Sequence, residues 1–176
     1  MAAVTTLPAA FTVGQILTST QMNNLRGAFR VLQVNSTTLT TPFTSSSTSM
    51  TIITGLSVSI TPSSSSSKIL VTANINGTND VGVEGMFLQL QRDSTAIAVG
   101  TGGTTNQSGA LYEATSAAFA AANASFTVLD SPATTSAITY AVYGRNQAAA
   151  TFYINRTKVS STDRFASTIT VMEISA

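Results

Sequence analysis

The chain has 176 residues, a length typical of one domain with a short appendage. Charged residues make up only 9% of it, against about 25% in an ordinary soluble domain, and the formal net charge is +1. Because Cys and His are absent, the sequence excludes disulfides, a thiolate nucleophile, a Cys or His metal site and a serine triad. The near-zero net charge also predicts no nucleic-acid partner.

The remaining composition is apolar and rich in hydroxyl groups. Hydrophobic residues are 43% of the chain, and there are 30 Thr and 23 Ser. The longest strictly apolar run, from Ala117 to Ala122, is far shorter than the roughly 20 residues of a spanning helix, so we expect no membrane insertion. A protein with few surface charges stays soluble through surface hydroxyls, through burial in an oligomer, or both. We expect both, with a hydroxyl-covered monomer as the alternative.

Residues 1–30 differ from the rest and are predicted to form an anchor. Hydroxyls at 18–20 can cap a short helix, and Met22, Leu25 and Phe29 then fall on one helical face. A helix of two or three turns is not stable alone in water, so this face must pack on its own domain, on sister subunits or on a larger partner. The apolar residues assigned to the anchor are Phe11, Ile16, Leu17, Met22, Leu25 and Phe29.

Residues 31–176 show the alternation of half-buried strands and are predicted to form a β-sandwich head. Leu56, Val58 and Ile60 alternate with hydroxyl residues, and similar patterns recur every 10–15 residues along the chain. We count eight to ten short strands, which indicates an antiparallel sandwich or barrel. The Ala-rich stretch at 110–124 is compatible with helix or strand, and its neighbours favour strand.

Three features predict the ends of strands or the loops between them. Asn76-Gly77 is expected to close one strand with turn chemistry, and Gly144-Arg145-Asn146 is expected to separate two others. The serine run at 63–67 is expected to be a solvent-facing loop.

No motif in the chain indicates catalysis or a bound cofactor. Ser65 and Lys68 match S-x-x-K, but no K-T-G segment accompanies them, and a run of serines makes that match trivial. Asp80 and Glu84 lie close enough in sequence to suggest a weak calcium site, although solvated turn residues are the simpler interpretation. We therefore predict a protein that is not an enzyme and has no cofactor and no resident metal.

Half of the basic residues lie within 20 positions and are interleaved with two tyrosines. Guanidinium groups hold carboxylate or sulfate in bidentate fashion, and an aromatic ring can carry a sugar. The group could bind an anionic surface polysaccharide; the alternative is ordinary charge on the rim of the sandwich. The candidate surface-binding residues are Tyr143, Arg145, Asn146, Tyr153, Arg156, Lys158 and Arg164.

Several segments resemble the surface proteins of tailed bacteriophages. The stretch AAFTVGQILTSTQMNNLR, at 9–26, looks like an N-terminal virion module in which F-x-x-G-Q-x-L-T-x-x-Q-M-N precedes a short helix. The stretches VLQVNSTT, TGLSVSITPSSSSSKILVTANIN, DSPATTSAITYAVYGR, YINRT and STITVMEISA resemble the jelly-roll heads of phage tail fibres. The match is weakest over residues 80–123.

This resemblance implies a role as well as a fold. It implies a homotrimer with a head like those of tumour necrosis factor and C1q, attached by its N-terminus to other virion proteins of the tail, baseplate or capsid. The expected function is that of a short, non-enzymatic tail-fibre or head protein that contacts the host surface, located on the virion. A capsid decoration protein that cements or ornaments the shell is the alternative, and the sequence does not separate the two.

Overall fold

Eleven β-strands account for most of the structure, which is a computed structural model. It describes residues 30–80, 85–103, 105–111, 121–159 and 162–175, together with residues 14, 16, 18, 19 and 22. The strands are β1 (Val31–Leu39), β2 (Phe43–Ser45), β3 (Thr51–Ile60), β4 (Lys68–Asn79), β5 (Met86–Arg92), β6 (Thr95–Ile97), β7 (Gly109–Leu111), β8 (Ala122–Asp130), β9 (Ile138–Asn146), β10 (Phe152–Ile154) and β11 (Ser167–Ile174).

The strands form two antiparallel sheets with a nested pairing pattern. The first sheet contains β1, β2, β4, β8, β10 and β11, and the second contains β3, β5, β6, β7 and β9. The first strands pair with the last, since β1 pairs with β11 and β2 with β10. Moving inward along the chain, β3 pairs with β9, β4 with β8, and β5 with both β6 and β7. From the ends of the chain inward, β1–β11 and β2–β10 lie in the first sheet, β3–β9 in the second, β4–β8 in the first, and the pairs of β5 with β6 and β7 in the second.

The two sheets share a single hydrophobic core. Alternate residues of β4 and β11 are fully or almost fully buried, for example Ile69, Val71 and Ile169, and they pack with residues of β3 and β9 such as Leu56 and Tyr140. The intervening residues face outward and are mostly Ser, Thr, Asn and Gln. This period of two is the reason the sequence pattern predicts the strands well. The prediction of an all-β antiparallel fold is confirmed.

Two predicted strand ends are wrong because glycines serve close packing there. The strand β4 continues through Asn76-Gly77 to Asn79, and a Cβ on Gly77 would lie 2.7 Å from the carbonyl oxygen of Tyr153. The strand β9 continues through Gly144 to Asn146, and a Cβ on Gly144 would lie 3.2 Å from the Phe152 ring. Both glycines allow a neighbouring strand to approach closely rather than make a turn.

The serine run is only partly exposed. Ser65 faces solvent as expected, but Ser67 is 2% exposed, and Ser63 binds a buried carboxylate described below. Within the ambiguous 110–124 stretch, Ala122–Ala124 belong to β8, whereas residues 112–120 lie outside the described part of the chain.

Candidate functional site

Most of the predicted anchor lies outside the described residues. Phe11, Leu17, Leu25 and Phe29 are among the residues not described. Ile16 is 89% exposed and Met22 is 50% exposed. The backbone N–H of Met22 donates a hydrogen bond to the carbonyl of Thr18 at 3.0 Å, which is the spacing of one helical turn. Both apolar side chains are thus available for contact with another surface.

The predicted surface-binding residues fall on two opposite faces of the molecule. Tyr143 and Arg145 alternate with the core residue Val142 along β9 and face outward from the second sheet. Tyr153 lies between the core residues Phe152 and Ile154 of β10, so it faces outward from the first sheet. Because the chain crosses from one sheet to the other after β9, residues close in sequence do not form one site.

Asn146 does not reach the surface. Its side chain is fully buried, and its Nδ2 donates hydrogen bonds to the carbonyl of Ala150 at 2.6 Å and to that of Ser45 at 3.4 Å. The Asn146 amide connects the end of β9 to the neighbouring segments through these hydrogen bonds, so its role is structural.

Arg145 occupies a defined position on the outward face of the second sheet. Its guanidinium lies 4.5 Å from the centre of the Phe87 ring, the neighbouring residue on β5. Nη1 donates to the carbonyl of Asn146 at 3.0 Å, and Nη2 donates to Oγ1 of Thr105 at 3.2 Å. No carboxylate of the described residues is close enough to pair with it. The side chain is fixed while its charge stays uncompensated in the described part of the chain.

An open cleft of about 330 Å³ lies beside this guanidinium and is called the Arg145 cleft. The segment at 48–50 and the loop containing Thr105 and Asn106 flank it, and Gln89 lies between them on β5. The lining residues are Thr48, Ser49, Met50, Gln89, Thr105, Asn106 and Arg145. Tyr143 is the cross-strand neighbour of Gln89. The cleft therefore combines one cation with neutral amide and hydroxyl groups.

The other basic residues of the candidate surface site are Arg156, Lys158 and Arg164, and they follow β10 at the end of the first sheet. The guanidinium of Arg156 lies 4.7 Å from the centre of the Tyr153 ring. It also donates to the carbonyls of Thr157 and Lys158, and Arg164 pairs with Arg156 as an isolated bridge. The hydrogen bonds of Arg156 are to backbone carbonyls, which indicates that this side chain holds the segment at 156–158 in place.

Only one of the two carboxylates of the suggested calcium site lies in the described part of the chain. The Oδ1 of Asp80 accepts a hydrogen bond from the backbone N–H of Thr151 at 2.7 Å, and Glu84 lies outside the described part of the chain. Among the residues the structure describes, no three Asp or Glu side chains are grouped as metal ligands. Asp80 is a structural cap at the start of β10.

One fully buried and one half-buried carboxylate, neither of them predicted from the sequence, lie in one row across the first sheet. Glu173 and Asp130 are the cross-strand neighbours of Ile69 on its two sides. Asp130 accepts hydrogen bonds from Arg92 at 2.7 Å and from the Tyr140 hydroxyl at 2.7 Å, which links the first sheet to the second. Burial and the bond to Asp130 raise the pKa of Tyr140 well above its ordinary value, so this hydroxyl stays a proton donor.

Glu173 is fully buried and ionised at neutral pH. Its Oε1 accepts hydrogen bonds from the backbone N–H and the hydroxyl of Ser63 at 2.8 and 2.7 Å, and Oε2 accepts from Nε2 of Gln33 at 2.6 Å. Burial favours the neutral acid, but these donors outweigh it and lower the pKa of Glu173 to about 2. The alternation Ile169, Val171, Glu173 was the available signal, because it places a carboxylate at a core position.

The outward face of the first sheet carries an apolar row across four adjacent strands, called the apolar row below. Val34 is opposite Met172, Met172 is opposite Leu70, and Leu70 is opposite Leu129. Val34 is 53% exposed and Leu129 is 60% exposed. At the end of β1 next to it, Val31 and Leu32 are 51% and 41% exposed.

The rest of this face is nearly uncharged. The next row consists of hydroxyl residues: Ser36, Thr170, Thr72 and Thr127. Beyond it, the side chains of Asn74, Asn76 and Asn123 hydrogen-bond to one another. Charges lie at the two ends of the face: Lys68 at the start of β4, where its Nζ donates to Ser131, and Arg156 beside Tyr153 of β10. A contiguous apolar strip on a neutral face is typical of a surface that is covered by another protein.

Comparisons with known proteins add no family to this description: no protein-family model matches the chain, and no curated protein matches it. Across the described residues, none of the helical structure is long and apolar enough to span a membrane.

Proposed function

We propose that this chain is a non-enzymatic structural protein of a tailed-phage virion, a short homotrimeric fibre or head protein. Its first 30 residues attach it to other virion proteins, and its β-sandwich projects outward for attachment to the host surface. The observation that carries the proposal is the apolar row on the first sheet, because a contiguous exposed apolar strip on a folded protein marks a protein interaction surface. Resemblance of the N-terminal segment to phage virion modules supplies the context.

The nested strand pairing supports a jelly roll as the form of the head. A jelly roll is a double sheet in which two Greek keys wrap one long antiparallel hairpin. The pairs β1–β11, β3–β9, β4–β8 and β5–β6 follow that order and alternate between sheets. The irregular segment between β1 and β2 lies beside the one between β10 and β11. We therefore treat β1 and β2 as one long interrupted strand, and β10 and β11 as another.

A second copy of this chain is the partner that the apolar row fits best. The face has Ser, Thr and Asn around the row, and Lys68 and Arg156 lie at its margins, so two or three copies can meet over the row without burying unpaired charge. Obligate interfaces typically bury more than about 2,000 Å² in total and are less polar than other surfaces. The number three comes from the resemblance to trimeric fibre heads.

The assembly is tested by replacing the two most exposed side chains of the row. We expect the purified chain to have the mass of three copies by sedimentation or mass photometry, and the Val34→Lys, Leu129→Lys double variant to be a folded monomer. Lysines there would place several like charges in a desolvated interface. The matched control is Ile52→Lys, since Ile52 is 39% exposed on the outward face of the second sheet. A monomeric parent chain, or a double variant that stays trimeric, would contradict the proposal.

The anchor is tested by truncation. Deleting residues 1–28 should leave a folded head, because the described core is built from residues 39–171. The truncated protein should no longer be incorporated into virions, measured by quantitative mass spectrometry of purified particles. Immunogold labelling of intact virions would show whether the full-length protein is on the tail or on the capsid. Failure of the truncated chain to fold would instead assign the segment to the head.

A further inference from the structure

We propose that the Arg145 cleft binds the carboxylate of an acidic saccharide. The inference rests on the proposed function, because a trimer formed through the first sheet leaves the outward face of the second sheet free. It deepens that function by naming a binding site and the chemical class of its ligand.

The guanidinium is held in place before any ligand arrives. Stacking on Phe87 and the hydrogen bonds to Asn146 and Thr105 restrict the Arg145 side chain. A guanidinium carries five N–H donors, and these two contacts leave further Nη protons for an acceptor in the cleft. Because little rotamer freedom remains, binding of an anion costs less ordering entropy than it would at a mobile arginine.

Stability alone does not account for this arrangement. The Nε–H of Arg145 is buried, and no acceptor for it is found among the described residues. A buried donor without an acceptor destabilises a fold, and such groups in native proteins call for a specific explanation. Among the described residues that line the cleft there is no Asp or Glu to balance the charge. An anionic ligand supplies the missing counter-charge.

The rest of the lining suits the hydroxyl-rich body of a sugar. Hydrogen bonds at both ends fix the orientation of the Gln89 amide: its Nε2 donates to the Asn106 carbonyl at 2.9 Å, and its Oε1 accepts from Gln91 at 2.7 Å. Hydroxyls of Thr48, Ser49 and Thr105 line the walls, and Met50 offers an apolar contact. A volume of about 330 Å³ is at the lower end for small-molecule sites, which fits one or two sugar units.

The test is calorimetric titration of the full-length protein with trigalacturonate, with neutral maltotriose as the comparison ligand. We expect the parent chain to bind trigalacturonate, and Arg145→Gln to weaken that binding by about tenfold or more, since charge-assisted hydrogen bonds are lost. Arg145→Lys should recover only part of the affinity, because an ammonium does not reproduce the planar fork. The matched control is Arg156→Gln, in which an arginine stacked on Tyr153 of the opposite sheet is removed; its binding should equal that of the parent chain.

Several results would overturn the proposal. One is failure of the folded parent chain to bind trigalacturonate and trimannuronate at concentrations up to about 10 mM. Others are equal binding of maltotriose, or an equal loss of binding in Arg145→Gln and Arg156→Gln. The native mass, measured on the same samples, shows whether the saccharide site or the proposed trimer is wrong. Trimeric protein without binding refutes the cleft alone, whereas monomeric protein that still binds through Arg145 refutes the assembly and retains the cleft.

Discussion

Replacing Asn155 by alanine should lower the free energy of unfolding by about 3 kcal/mol, because a fully buried amide with several partners is removed. Its Nδ2 donates to the carbonyl of Leu39 at 2.6 Å and to that of Thr41 at 3.3 Å, and its Oδ1 accepts from the Ser167 hydroxyl at 2.6 Å. The amide thus connects the break after β1 with the break after β10. Alanine would leave these buried groups without their partner.

The backbone at Asn155 adds to this effect. Its φ is +61°, a left-handed conformation that asparagine tolerates better than alanine. Asn155→Gly separates the two contributions, since glycine adopts this φ without strain but lacks the amide. We expect the glycine variant to be more stable than the alanine variant by about 1 kcal/mol and still well below the parent chain.

Chemical denaturation at one fixed protein concentration is the measurement. The control is Gln147→Ala, which removes an exposed amide side chain away from the outward face of the first sheet and should change stability by less than about 1 kcal/mol. A parent-like unfolding midpoint for Asn155→Ala would contradict a role for this amide in joining the two breaks.

The all-β fold could be predicted from the sequence because burial on one face of a strand repeats every second residue. Leu56, Val58 and Ile60 show that period without interruption, and they lie in β3 with their side chains in the core. Gly77 and Gly144 were misread as turn residues. A side chain at Gly77 would collide with the backbone of the adjacent strand β10, and a side chain at Gly144 would crowd the Phe152 ring, which comes from the other sheet. Contacts between strands that are distant in sequence leave no local signal.

The candidate surface site could be predicted only in part. Arg145 and Arg156 are 11 positions apart, but β9 and β10 belong to different sheets, so sequence proximity grouped residues that face in opposite directions. The apolar row could not be predicted from the sequence either. Leu70 and Leu129 each lie on the outward-facing side of a strand whose alternate residues are buried. Only the register between β4 and β8 shows that the two leucines are adjacent.

Glu173→Gln should destabilise the protein by about 3 kcal/mol at pH 7, and the difference should disappear near pH 2. The hydrogen bonds from Gln33 and Ser63 outweigh the effect of burial and lower the pKa of Glu173 from an ordinary 4.5 to about 2. A carboxylate whose pKa is lower in the folded state stabilises that state fully above the unfolded-state pKa. That stabilisation declines as the pH falls from about 5 towards 2, and a shift of this size corresponds to about 3 kcal/mol.

The glutamine variant isolates this dependence because its side chain does not titrate. Both Ser63 donors point at Oε1 of Glu173, and the glutamine amide can occupy this position in two orientations. With its N–H₂ group there, donors would face donors. With its oxygen there, the amide would accept the hydrogen bonds more weakly than a carboxylate does. Urea unfolding of both proteins at several pH values between 2 and 7 gives the two stability curves. The control is Asp163→Asn, an exposed carboxylate whose loss should shift stability by less than about 1 kcal/mol at every pH. If the stability of the parent chain and that of Glu173→Gln change in parallel between pH 5 and 2, Glu173 does not cause the acid sensitivity. If the two stabilities converge as the pH falls, the hydrogen bonds that Ser63 donates to the Glu173 carboxylate are the acid-sensitive contact.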